Sequence, residues 1–140
     1  MTQMKPQVVA RNRGRDLQHN GRNMNKRKVG NDYEQIAEDY LVRQGYVILA
    51  RNYRNRIGEI DRIAREGNCI CFIEVKYRAS RHYGQPQEAV NLRKQKNICK
   101  VARFYLMCQG LDEWTDCRFD VVSIVGNEIE LIRNAYEFRE

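Results

Sequence analysis

The chain of 140 residues carries 25 Lys and Arg against 18 Asp and Glu, and 42% of it is apolar. That length builds one domain with a modest core, and no run approaches the roughly 20 apolar residues of a bilayer-spanning helix or the apolar centre of a secretory signal. Five cysteines without a Cys-x-x-Cys pair exclude a disulfide framework and a zinc ribbon, and point to a reducing cytoplasm.

The positive charge is unevenly placed. Residues 1–29 hold eight basic residues and a single acid, Asp16, so the remainder has 17 of each sign and is neutral. The expected organisation is a basic, structureless arm over 1–29 and a single domain over 30–140. Such an arm either holds polyanions through counterion release or is a solvated tail.

Asn31 or Asp32 is expected to cap a first helix running to about Gln44, with Tyr33, Ile36, Ala37, Tyr40 and Leu41 on its buried face. Gly45 ends it, and Tyr46 to Ala50 reads as a buried strand. Two more strands, Glu59 to Ala64 and Cys69 to Lys76, are joined through Gly67-Asn68, a favoured hairpin turn. The stretch from Tyr77 to Gln85 reads as a functional loop. A second helical region starts at Pro86 and is firm from Leu92 to Met107, burying Ile98, Val101, Ala102, Tyr105 and Leu106. Gly126-Asn127 joins a last pair of strands, Arg118 to Val125 and Glu128 to Asn134. The order is α-β-β-β-α-β-β, an α/β or α+β domain with a central mixed sheet flanked by helices.

The hairpin turn fixes a register in which Asp61 lies across from Glu74 and Glu59 across from Lys76. Directly opposed side chains have Cβ atoms about 4.5–5.5 Å apart, and Glu74 and Lys76 share a face by the period of the strand. Two carboxylates so placed repel unless something offsets them. A bound Mg²⁺ or Mn²⁺ is the economical answer, and a neighbouring lysine can hold the attacking water or stabilise phosphoryl charge. Glu59 would then be the resting partner of Lys76. The bland alternative is a solvated face. Against it, Ile70 and Phe72 precede Glu74 on the same face, and the reverse face is apolar. A one-residue slip would move Asp61 to the other face.

Asp61 followed by Glu74-Val75-Lys76 resembles the active-site pattern of the PD-(D/E)xK nuclease superfamily. Glu34-Gln35-Ile36-Ala37, Gln44-Gly45-Tyr46, Arg51-Asn52, Gly58-Glu59-Ile60-Asp61, Phe72-Ile73-Glu74-Val75-Lys76-Tyr77-Arg78, Glu88-Ala89-Val90 and Arg118-Phe119-Asp120-Val121-Val122 together resemble the YraN-like family of bacterial proteins. That family is itself similar to archaeal Holliday-junction resolvases. The resemblance covers about residues 30–135 and implies a restriction-endonuclease-like core. It further implies Asp61 and Glu74 as metal ligands, Lys76 as the catalytic lysine and Glu34 as the helical glutamate completing the site. Two positions depart from the family's usual pattern: Tyr33, where glycine is frequent, and Arg62, where an apolar residue is usual.

For nucleic-acid contacts, Lys96, Lys100 and Arg103 recur along one helix face with Arg93 and Lys94 at its start, a stripe that also suits a solvated face. Arg78 shares the face of Lys76 and is the better phosphate contact. The superfamily likeness adds Lys94 or Gln95 as groups approaching the metal. His82, His19 and the tyrosines Tyr46, Tyr53 and Tyr77 are lesser candidates, and Asp120 has no evident chemistry. The expected function is a Mg²⁺- or Mn²⁺-dependent cytoplasmic endonuclease acting on nucleic acid, with branched DNA as the target and a homodimer as the form the resemblance implies. The alternatives are a non-catalytic nucleic-acid-binding module of a repair or recombination complex, and an ion-pair network without a ligand.

Overall fold

The computed structural model describes residues 7–13, 26–78, 90–112 and 114–138. Their elements are β1 (Gln7–Arg13), α1 (Lys26–Arg43), β2 (Val47–Arg54), β3 (Glu59–Glu66), β4 (Cys69–Arg78), α2 (Leu92–Cys108), β5 (Cys117–Val125) and β6 (Glu128–Tyr136). One six-stranded sheet runs in the order β1-β6-β5-β4-β3-β2. Its central pair, β4 and β5, is parallel, and the other neighbours are antiparallel. A parallel pair needs a crossover, and α2 lies in it. The expected α-β-β-β-α-β-β order and mixed sheet are present, an arrangement compatible with an α/β nuclease-like core.

Two elements fall within the stretch expected to be a structureless arm. Gln7–Arg13 forms a strand against β6, and α1 begins at Lys26 rather than at Asn31 or Asp32. A strand added at a sheet edge is held by main-chain hydrogen bonds, which leave no apolar periodicity in the sequence.

The two helices cover opposite faces of the sheet. Tyr33, Ala37, Tyr40 and Leu41 of α1 pack with Cys71, Ile73, Val122, Ile124 and Leu131. On the other face, Ile98, Val101, Ala102, Tyr105 and Leu106 of α2 pack with Phe72, Phe119, Val121 and Ile132. Each full burial of such a side chain contributes about 1.5–3 kcal/mol. Gly45, at φ 98°, closes α1, and the Tyr46 N–H returns to the Leu41 carbonyl at 3.0 Å. Among the described residues no helix is long and apolar enough to cross a membrane.

Helix α2 starts at Leu92, and the weak stretch expected after Pro86 lies mostly outside the described residues, as do His82 and most of the expected loop. Its N-cap is Asn91, whose side chain accepts the Lys94 N–H at 2.9 Å. Asn91→Ala is expected to cost about 1 kcal/mol of stability, visible as a drop of a few degrees in the thermal melt; an unchanged melt would contradict the cap.

Asp120 has a structural task. It is fully buried in β5, accepts the Tyr46 hydroxyl at 2.9 Å and Arg118 Nε at 3.0 Å, and takes the Asn134 main-chain N–H at 2.9 Å where the β5–β6 register shifts. Tyr46 is therefore committed to the core and is not a stacking platform. Tyr53 packs edge-on against Tyr105, whereas Tyr77 stays exposed, stacked on Tyr33 at 3.8 Å.

Candidate active site

The predicted hairpin register holds from Glu66↔Cys69 to Arg62↔Ile73. One step further, where Asp61 would meet Glu74, the main-chain ladder stops. Asp61 Oδ2 instead accepts the Val75 N–H at 2.8 Å. A side chain thus stands in for a strand carbonyl, and β3 parts from β4 at the pair the sequence singles out.

The Asp61 and Glu74 carboxyls are close enough to act on each other. Burial first, and then repulsion from Glu74, push the Asp61 carboxyl up to about 8, with Glu34 adding to the rise and the Val75 N–H opposing it. At neutral pH the pair therefore holds a proton that a lone surface aspartate would have lost.

Two ammonium groups meet Glu74. Lys94, from the first turn of α2, donates to Glu74 Oε1, and Lys76 Nζ lies 3.4 Å from the same oxygen. Glu74, not Glu59, is thus the carboxylate that Lys76 contacts, which corrects the expected resting partner. The reason lies in the same departure of the strands: Glu59 is beyond the point where the ladder opens. Burial and the neighbouring Lys94 lower the Lys76 amine from its ordinary value, against the pull of Glu74. Burial also acts to lower Lys94, but the charge and hydrogen bond of Glu74 outweigh it and raise that group. Glu74 raises both lysines, and the contact between the two ammonium groups moves them in opposite directions.

Glu34 reaches the site from α1, on the other side of the sheet. Its Oε2 takes Asn52 Nδ2 at 3.3 Å and lies 3.5 Å from Arg62 Nη1. Arg62 is buried on the α1 side because Glu38, one turn beyond Glu34, receives its Nε at 3.2 Å. Arg51 covers the other Glu38 oxygen. That arginine–glutamate pair is absent from the sequence reading. The available signal was Arg62 itself, a lone cation on a core-facing position that requires a buried carboxylate.

Of the other candidates, Gln95 is buried and donates to the Val90 carbonyl at 2.8 Å, so that bond serves the approach to α2. Arg78 is half-buried at the end of β4, and Lys96 and Lys100 lie exposed along α2. Asp61 and Glu74 offer the oxygen donors that Mg²⁺ and Mn²⁺ prefer, and Mg²⁺ is commonly held by one or two carboxylates, with water and substrate phosphate completing the shell. The pair fits such an ion on that ground. Among the described residues no group of three or more His, Cys, Asp or Glu is assembled to hold a metal.

The fold and site define an α/β domain with a carboxylate–lysine cluster where its central hairpin opens. The chain belongs to the uncharacterised protein family UPF0102, whose model matches residues 33–124 and so spans Glu34, Asp61, Glu74, Lys76 and Lys94. It is 50% identical over 114 residues to a UPF0102 protein of Lachnoclostridium phytofermentans, covering 81% of this chain and 97% of that one. A UPF0102 protein of Syntrophus aciditrophicus is 49% identical over 119 residues, covering 82% and 91%. One from Caldicellulosiruptor saccharolyticus is 43% identical over 121 residues, covering 81% and 100%.

Proposed function

We propose that this protein is a metal-dependent endonuclease that hydrolyses phosphodiester bonds in DNA, with branched DNA as its target and a homodimer as its form. The observation that carries the reading is the meeting of Asp61 and Glu74 with Lys76 and Lys94 at the opening of the β3–β4 ladder. Asp61 and Glu74 would hold Mg²⁺ or Mn²⁺, with Glu34 beside them. The bound ion would supply Lewis-acid polarisation of the phosphoryl group and a more acidic water. Lys76 would orient the attacking water and stabilise the charge growing on the phosphoryl oxygen, the water giving up its proton to solvent as its oxygen bonds to phosphorus. The phosphorus–oxygen bond on the opposite side breaks, and the departing alkoxide takes up a proton. Lys94, which contacts Glu74, would present its charge to the phosphate. Arg78, Lys96 and Lys100 serve as contacts to the flanking backbone.

A second reading, a nucleic-acid-binding module without catalysis, is favoured by one observation: Lys94 occupies Glu74 and no third acid completes a metal cage among the described residues. A cleavage screen on junction, flap, single-stranded and duplex DNA with Mg²⁺ or Mn²⁺ separates the two. The nuclease reading expects metal-dependent cleavage that falls by about 10²–10³-fold in Lys76→Ala, the usual weight of one group that stabilises transition-state charge. Activity that survives unchanged in Lys76→Ala marks a contaminant and overturns the reading. Binding to DNA without cleavage of any of the four supports the module.

A further inference from the structure

Asn52 and Arg62 are joined in a way that the proposed chemistry does not use. Asn52 occupies the position of β2 between the pairs Arg51↔Arg62 and Tyr53↔Ile60, which sets it beside Asp61 of β3. Its backbone is left-handed, at φ 49°, a conformation that asparagine tolerates better than most residues with a Cβ. The amide is used at both ends: Oδ1 accepts Arg62 Nη1 at 2.9 Å, and Nδ2 donates to Glu34 Oε2 at 3.3 Å. Its orientation is dictated by these partners, because a guanidinium only donates and a carboxylate only accepts.

Arg62 extends the link. The same Nη1 donates to the Asp61 main-chain carbonyl at 2.7 Å, while Nε is fixed on Glu38 at 3.2 Å. One guanidinium thereby ties together α1, β2 and the peptide of Asp61. Both contacts to Glu34 fall on Oε2, and among the described residues Oε1 has no donor.

We propose that Asn52, working with Arg62, is a positioning residue that clamps Glu34 by Oε2 and so fixes its negative charge beside the Asp61–Glu74 pair, where it would strengthen the hold on a divalent cation. The proposal rests on the metal-site reading given above and deepens it. It requires no change of the cluster's overall charge, since the neutral amide acts only through direction.

Asn52→Gly is the sharp variant, since glycine takes a positive φ without strain and lacks only the amide. Mn²⁺ would be titrated calorimetrically into the full chain as wild type, Asn52→Gly, Glu34→Ala and the double variant, with thermal melts alongside to check folding. Asn52→Gly is expected to bind Mn²⁺ about 10–100-fold more weakly, the usual consequence of losing an outer-shell partner. In the Glu34→Ala background the same change is expected to have no further effect, because the residue acts through Glu34. A merely structural role would lower affinity equally in both backgrounds. Equal or tighter binding by Asn52→Gly, or an equal loss in the Glu34→Ala background, overturns the positioning role and leaves the metal site standing. No Mn²⁺ binding by wild type at millimolar metal overturns the metal site, and the clamp with it.

Discussion

Asp61→Asn is expected to abolish catalysis while making the metal-free protein more stable at pH 8. Asparagine keeps the oxygen that accepts the Val75 N–H and removes the charge that repels Glu74. On the proposed reading Asp61 would be a metal ligand, and its loss would remove several kcal/mol of transition-state stabilisation, so cleavage should fall by about 10³-fold or more. Stability moves the other way. The Asp61 carboxyl is raised from 3.8 to about 8 in the folded chain. The folded state therefore keeps a proton that the unfolded state releases near pH 4. The stability this confers is complete below pH 4 and is lost as pH rises towards 8. The melting temperature of metal-free Asp61→Asn should exceed that of wild type by a margin that widens from pH 4 to 8, and Mn²⁺ should narrow it by stabilising only wild type. A margin independent of pH would show that Asp61 is not the strained acid.

Glu38→Ala is expected to be the most destabilising single change in the domain. Glu38 is buried and receives both Arg51 and Arg62. Its carboxyl is held below the ordinary range, first by the Arg51 hydrogen bond and then by Arg62, against the opposing effect of burial. Removal leaves Arg62 buried without a counter-charge, a cost of about 3–5 kcal/mol, or a melting temperature lower by about 10–15 °C for a chain of this size. Because the Glu38 carboxyl is depressed in the folded state, its contribution is present at neutral pH and is lost as pH falls through its folded value. The double change Glu38→Met/Arg62→Leu should recover most of the stability, since apolar replacement of a buried ion pair is often neutral. A thermal melt series checks both. Full stability in Glu38→Ala alone would mean that Arg62 finds water instead.

The helices and four of the six strands were legible because each buries an apolar face with its own period, and Gly67-Asn68 set the β3–β4 register; β2, expected to be buried, is instead an edge strand with Val47 and Leu49 exposed. Residues 7–13 were not legible, since β1 is added to the edge of β6 through main-chain pairing, which composition does not record. The Asp61–Glu74 encounter was legible from register alone. The partner of Lys76 was not: counting along regular strands assigns it Glu59, and the ladder ceases to be regular at Asp61. Lys94 approaches from α2, and no spacing rule links residues 20 positions apart on a strand and a helix. The Arg62–Glu38 pair was hidden for a related reason. Both residues flank apolar positions, and only the packing of α1 over the sheet brings them into contact.

Asp61 and Asp120 stand in for strand carbonyls in the same sheet, yet their surroundings differ in electrical balance. Asp120 is closed by the Arg118 guanidinium and the Tyr46 hydroxyl, so it is a finished salt. Asp61 has an acid for a neighbour and retains a proton to pH 8 or so. On the proposed metal-site reading it would act as one half of a weak-acid cation exchanger set into a protein. A divalent ion entering between Asp61 and Glu74 would displace that proton and the Lys94 ammonium together. Loading should therefore be graded by pH, tightening as the solution becomes more alkaline, with protons released to the buffer as each site fills.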